Sequence, residues 1–293
     1  MAYSRSIWIL SAMLGSLALL VGCEFFQHWT HPAKERADKE PIPGAPSKHV
    51  MRVPPQFIFL SDVELKRDQP IFKDLMSLRT QIYRELRLPP SNTEIFVYLF
   101  EDKGRYERFL HGRHPELPDR RAYFVKQAKR LGGVEDLMVY TYMGDTIHQD
   151  LRHELTHAIL HSTHKDVPIW LDEGLAEYFE LPSGSAGLNS SHVEALRKPG
   201  VQFDLARLER LEKVRQMESA EYRESWAWVH WMLRSSPQAK EILLGYLKDL
   251  RATSTPESLR PRLARAIGSP DQAVQSHLAD LERRLPRNVT AKR

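Results

Sequence analysis

Two neighbouring stretches decide how this chain is read: Asp150-Leu-Arg-His153-Glu154-Leu-Thr-His157-Ala-Ile-Leu160 and, soon after, Pro168-Ile-Trp-Leu-Asp172-Glu173-Gly-Leu-Ala-Glu177-Tyr-Phe-Glu180. Leu151, Leu155 and Ile159 recur at helical spacing, so the first stretch reads as an amphipathic helix, with Asp145 or Thr146 as its N-cap. His153 and His157 are four apart and share one face, where their imidazoles can hold a single ion. Glu154 is rotated by only ~100° from His153 and reaches a water on that ion. The second stretch reads as a helix starting near Asp166 or Val167, with Pro168 in its first turn. Trp170, Leu171, Leu175 and Phe179 would pack it against the first helix. Glu173 lies on this second helix, and Glu177 follows one turn later on the same face.

These residue types in this order point to zinc hydrolysis. A catalytic Zn²⁺ takes three protein ligands and keeps a fourth position open for a water, whose pKa it lowers to about 7. A carboxylate beside that water takes its proton as attack begins. The expected ligands are His153, His157 and Glu173, with Glu154 as general base. Glu177 is placed to accept the free N–H of a ligand imidazole. His161, four after His157, is a rival third ligand that more simply lines the helix face. His164 reads as a solvated loop residue.

Outward from this pair, the texture differs on the two sides. Upstream, Phe57 to Leu60, Ile95 to Phe100, Arg121 to Val125 and Leu137 to Tyr142 read as strands, the last two separated by a turn at Gly132-Gly133. Helices are expected over 70–88 and 103–111. Downstream of Ile147 nearly every segment has helical period. The expectation is an α+β domain over 51–290: a β-rich lobe at 51–145, a helical lobe at 146–290, and the metal residues at the seam.

HELTH followed by WLDEGLAEYFE resembles the gluzincin zinc metallopeptidases, most closely the peptidase MA-like domains of bacterial proteins. Their pattern is HExxH with a glutamate some 15 to 25 residues on, and Asp172-Glu173-Gly174-Leu175-Ala176 stands where gluzincin aminopeptidases carry an NEGFA-like segment. The specific match covers residues 150–233. It implies a thermolysin-like catalytic core, His153, His157 and Glu173 as zinc ligands, and an acidic neighbour at Glu177. The metzincin pattern fails, because Leu160 and Thr163 stand where a glycine and a histidine are needed. Glu221-Tyr222-Arg-Glu-Ser225-Trp226 resembles the YxxG helix start of gluzincin aminopeptidases, with Ser225 in place of the glycine. Tyr222 is thereby a candidate donor to the transition-state oxyanion, and His230 a weaker one. Tyr140 and Tyr142 lie on the strand before the metal helix, where gluzincins present an edge to the substrate backbone. Val134 to Gly144 lacks the amine-capturing GxMEN order, which favours endopeptidase over aminopeptidase.

At the other end, Arg5 precedes an uncharged apolar run from Ile7 to Val21. The run is shorter than the ~20 residues that span a bilayer and suits a secretory signal. It ends in Leu20-Val21-Gly22-Cys23, which resembles the lipobox of bacterial lipoproteins. That resemblance implies a signal peptide at 1–22, lipidation of Cys23, and an exported protein held on a membrane of the cell envelope. Residues 23–50, rich in charge and proline (PIPGAP at 41–46), read as a tether.

Composition narrows the classes. A single cysteine among 293 residues excludes an internal disulfide and any zinc site built on several thiolates. The net charge of +4, from 42 basic and 38 acidic residues, comes without a basic motif and argues against nucleic acid. The expected protein is a lipid-anchored, extracytoplasmic zinc peptidase acting on a peptide or protein substrate. The alternative is a catalytically silent zinc-binding surface scaffold. Cleavage specificity and oligomeric state stay open.

Overall fold

The computed structural model describes residues 42–115, 117–127, 135–253 and 255–285. The expected signal peptide, Cys23, most of the tether and the turn at Gly132-Gly133 lie outside the described residues. Among those described, no helix is long and apolar enough to cross a membrane.

The fold is α+β, as expected: a five-stranded sheet followed by helices. The strands are β1 (His49–Val53), β2 (Phe57–Ser61), β3 (Ile95–Phe100), β4 (Ala122–Gln127) and β5 (Asp136–Tyr142), in the order β1-β2-β3-β5-β4. The three central strands β2, β3 and β5 run parallel, while β1 and β4 close the two edges antiparallel. β1 went unforeseen, and it starts upstream of the expected boundary at residue 51. Its pattern is weak, because Val50 and Arg52 are exposed and only Met51 and Val53 turn inward. Ile42 and Ala45, expected in the tether, pack against the folded core.

Strand alternation sorts the side chains into two cores. Ile95, Val97 and Leu99 of β3, with Phe57, Phe59, Leu137 and Val139, face helices α1 (Pro70–Glu85) and α3 (Ile147–His161). Tyr98, Phe100, Tyr123, Val125, Met138 and Tyr140 face the other way, onto Tyr106, Phe109 and Leu110 of α2 (Lys103–Arg113).

The helical part continues the first core. α4 (Ile169–Phe179) runs antiparallel to α3, since His157 near the end of α3 meets Asp172 near the start of α4, and His153 meets Glu180 at its end. Short helices α5 (Ser190–Leu196) and α6 (Leu205–Leu208) lead to α7 (Ser219–Arg234), which lies against α4. Helices α8 (Pro237–Ala252), α9 (Leu259–Ile267) and α10 (Pro270–Arg284) complete the chain's described part. Gly174 is what lets α4 and α7 touch: a Cβ there would sit 2.7 Å from the Ser225 carbonyl oxygen.

One buried cation locks the α3–α4 pair. Arg152 is 2% exposed, and its guanidinium donates to the carbonyls of Phe179 and Glu180 (both 3.1 Å) and Leu181 (2.6 Å) and to Asp74 Oδ1 (2.9 Å). It supplies donors to carbonyls that the end of α4 would otherwise leave unpaired.

Candidate metal centre

The α3–α4 pair brings His153, His157 and Glu173 together, with one ligand atom of each within 4.8 Å of the others. Glu173 Oε2 faces His153 Nε2 at 3.5 Å and His157 Nε2 at 3.6 Å. Ligand bonds of about 2.1 Å at tetrahedral angles place donor atoms about 3.4 Å apart, so the spacing suits a tetrahedral ion. Glu173 Oε2 is buried and has no hydrogen-bond partner. A desolvated carboxylate oxygen in that state costs free energy unless a cation meets it. The three residues could hold a metal ion.

Carboxylates orient both imidazoles. His153 Nδ1 lies 3.0 Å from Glu180 Oε2, and His157 Nδ1 lies 3.0 Å from Asp172 Oδ1, the latter too poorly aligned to count as a full hydrogen bond. With an ion bound, a proton on each Nδ1 would leave each Nε2 as the bare nitrogen turned toward it. Asp172 Oδ2 also meets His161 Nε2 at 3.1 Å. His161 therefore braces Asp172 and lies outside the group formed by His153, His157 and Glu173.

The expectation for Glu177 needs correcting. Its Oε2 accepts from His192 Nε2 at 2.8 Å, and the imidazole partners are Glu180 and Asp172 instead. Glu177 is near enough, with an oxygen within 4.8 Å of His153 and Glu180 ligand atoms, but α5 supplies a nearer donor. Sequence reasoning passed over Asp172 and Glu180. Glu180 stands seven after Glu173, two turns along the same face, and that spacing was the available signal.

The electrostatics suit a concentrated positive charge. Burial opposes charge on His157, yet Asp172 and Glu173 overcome it and raise its pKa to about 10. His153 is likewise held well above its ordinary value against burial, by Glu173 and Glu180. Burial alone would raise Glu173, but the two imidazoles lower it to about 2. Burial raises the Glu154 carboxyl, opposed by both histidines and by a hydrogen bond from the Phe124 backbone N–H.

His153 and Glu154 open onto a cleft of about 660 Å³ lined also by Arg120, Arg121, Ala122, Tyr222 and Arg223. Tyr222 is thus beside the cluster, and its Oη accepts from Arg120 Nη2 at 3.2 Å, leaving its own O–H free to donate. Burial raises the Tyr222 pKa, and Glu173 adds to this while Arg120 opposes it. Arg121 pairs with Asp150 (2.9 Å), which also accepts from Thr146 Oγ1 (2.7 Å). That contact occupies the hydroxyl expected to cap α3, and Thr146 is the N-cap without a side-chain capping bond.

Three other expectations resolve differently. His230 is remote from the cleft, with Nδ1 2.8 Å from His277 Nε2 and its ring against Trp226 and Tyr178. His164 is buried at 1% exposure, not solvated, and Nε2 lies 3.0 Å from the Leu247 carbonyl. Tyr140 and Tyr142 lie on an interior strand, and Tyr140 stacks on Tyr98 in the second core. The strand at the sheet edge by the site is β4, whose Ala122 lines the cleft and whose Phe124 reaches Glu154.

No curated protein matches the chain. Residues 144–256, from the turn before α3 to just past α8, match the model of a family described as a protein of unknown function, DUF1570.

Proposed function

We propose that this protein is a zinc-dependent peptidase of gluzincin type, exported and held on a membrane of the bacterial cell envelope by lipidated Cys23. What supports the reading above all is the buried Glu173 Oε2, which has no hydrogen bond and faces two imidazole Nε2 atoms at 3.5 and 3.6 Å, with Glu154 beside His153 at the cleft. His153, His157 and Glu173 would hold the ion. When bound, zinc supplies a Lewis acid that lowers the pKa of a water and polarises a carbonyl. Glu154 takes a proton from the attacking water and returns it to the amide nitrogen as the C–N bond breaks. The Tyr222 hydroxyl donates to the carbonyl oxygen as negative charge gathers there. The absence of an amine-capturing GxMEN segment favours cleavage within a chain over removal of its first residue.

The test uses full-length protein purified in detergent. Zinc per chain is measured, and cleavage of a mixed peptide library is compared with that by Glu154→Gln. The expected result is zinc in both and hydrolysis only by the wild type. Glu173→Ala should lose the metal, and His161→Ala should keep it. Zinc in both proteins with no hydrolysis by either would leave the scaffold reading in its place.

A further inference from the structure

The cleft beside His153 and Glu154 carries two guanidinium groups that, among the described residues, form no hydrogen bond or ion pair with a carboxylate. Arg120 makes one side-chain hydrogen bond, to the neutral Tyr222 hydroxyl, and Arg223 has neither a hydrogen bond nor an ion pair among the described residues. Carboxylates line the same cleft, but, Glu154 apart, each has a side-chain partner. Asp150 is met by Arg121 and Thr146, Glu177 by His192, and Glu180 by Gln149 and His153. Asp119, at the rim, lies 2.9 Å from His111 Nε2. These acids are thus engaged within the protein, and, Glu154 apart, the unspent hydrogen-bonding capacity is cationic.

Placement gives these groups a role. Arg120 immediately precedes Arg121 and the edge strand β4, and Arg223 follows Tyr222 on the first turns of α7. They converge on the cleft from two elements, and Arg120 is close enough to Glu173 to sense its charge. A guanidinium offers a planar fork of donors that fits a carboxylate in bidentate fashion, and desolvation in a cleft strengthens that contact.

We propose that Arg120 and Arg223 form an anion subsite, and that the ligand of this cleft is a peptide bearing a carboxylate close to the bond presented to Glu154. The carboxylate is either an acidic side chain or a free C-terminus. The proposal rests on the peptidase reading for the nature of the ligand, but not for its measurement.

The test measures binding without turnover. Short fluorescent peptides differing only in Glu against Gln at internal positions, or in a free against an amidated C-terminus, are titrated by anisotropy. The proteins are the full-length Glu154→Gln variant and the metal-stripped wild type. The carboxylate-bearing member of at least one pair should bind about tenfold tighter, and which pair shows it identifies the source of the charge. That ratio should collapse toward one in Arg120→Gln and Arg223→Gln. It should survive in Arg197→Gln, whose guanidinium pairs with Glu282 outside the cleft. Arg120→Lys, which keeps the charge without the fork, should retain part of it. Equal affinities, no binding by any peptide, or a preference that persists in the double Arg120→Gln, Arg223→Gln variant would overturn the subsite. A protein that prefers the carboxylate peptides yet holds no zinc and cleaves nothing would sink the peptidase reading alone.

Discussion

Replacing Gly174 by alanine separates close packing from helix propensity. The added Cβ would lie 2.7 Å from the Ser225 carbonyl oxygen, 2.8 Å from its carbon and 3.0 Å from Val229 Cγ2. Comfortable contact begins near 3.5 Å, so α4 and α7 would have to part by about half an ångström or more. The obstructing atoms are backbone inside a helix and cannot rotate aside. Overpacking of this kind costs about 1–3 kcal/mol, while alanine regains at most about 1 kcal/mol of helix propensity over glycine. The expected net loss is about 1–2 kcal/mol, and Gly174→Val should lose more. Urea unfolding followed by fluorescence reads it directly, because Trp226 and Trp228 are fully buried on α7. Gly245, in the interior of α8, is the control: a Cβ there would meet nothing within 4 Å, so alanine should stabilise. A Gly174→Ala protein as stable as the wild type would refute the claim that this glycine exists for the α4–α7 approach.

Other substitutions probe the support of the site. Asp172→Asn keeps shape but removes the charge facing His157 and His161, and should weaken zinc binding about 10–100-fold in a chelator competition while far-UV dichroism stays constant. Unchanged affinity would remove Asp172 from any role in orienting the ligand. Arg152→Met strips three carbonyls and Asp74 of their donor, and a loss of about 3–5 kcal/mol in urea unfolding is expected. A shift under ~1 kcal/mol would contradict its bracing function. Burial lowers the His230 pKa to about 3 and that of His277 to about 4, against about 6.5 in the unfolded chain. The unfolded state therefore binds more protons below pH 7, and His230 alone should cost about 2 kcal/mol of stability between pH 7 and pH 5. His230→Phe should flatten that slope, and identical slopes would show that the fold does not depress the His230 pKa.

The histidine pair of the candidate cluster was legible because it is a matter of spacing within one helix, α3. A spacing of four from His153 to His157 fixes a shared face whatever the helix packs on, and the parallel strands announced themselves as apolar runs. What escaped reading depends on pairings between elements. Antiparallel packing of α3 on α4 puts His157 against the start of α4 and His153 against its end, so each ligand imidazole takes a different acid, Asp172 and Glu180. Seen along α4 alone, Glu177 is the better candidate, one turn from Glu173. It loses the role because α5 folds back and offers His192, a donor that periodicity on α4 cannot reveal. Arg120 illustrates the same limit: in sequence it is one of two adjacent arginines before a strand, indistinguishable from its neighbour. The fold gives Arg121 to Asp150 and leaves Arg120 facing Tyr222, 102 residues away, and only that division makes one arginine structural and the other available to a ligand. Recognition groups are by nature those left unsatisfied after folding, so they become visible only when every other pairing is known.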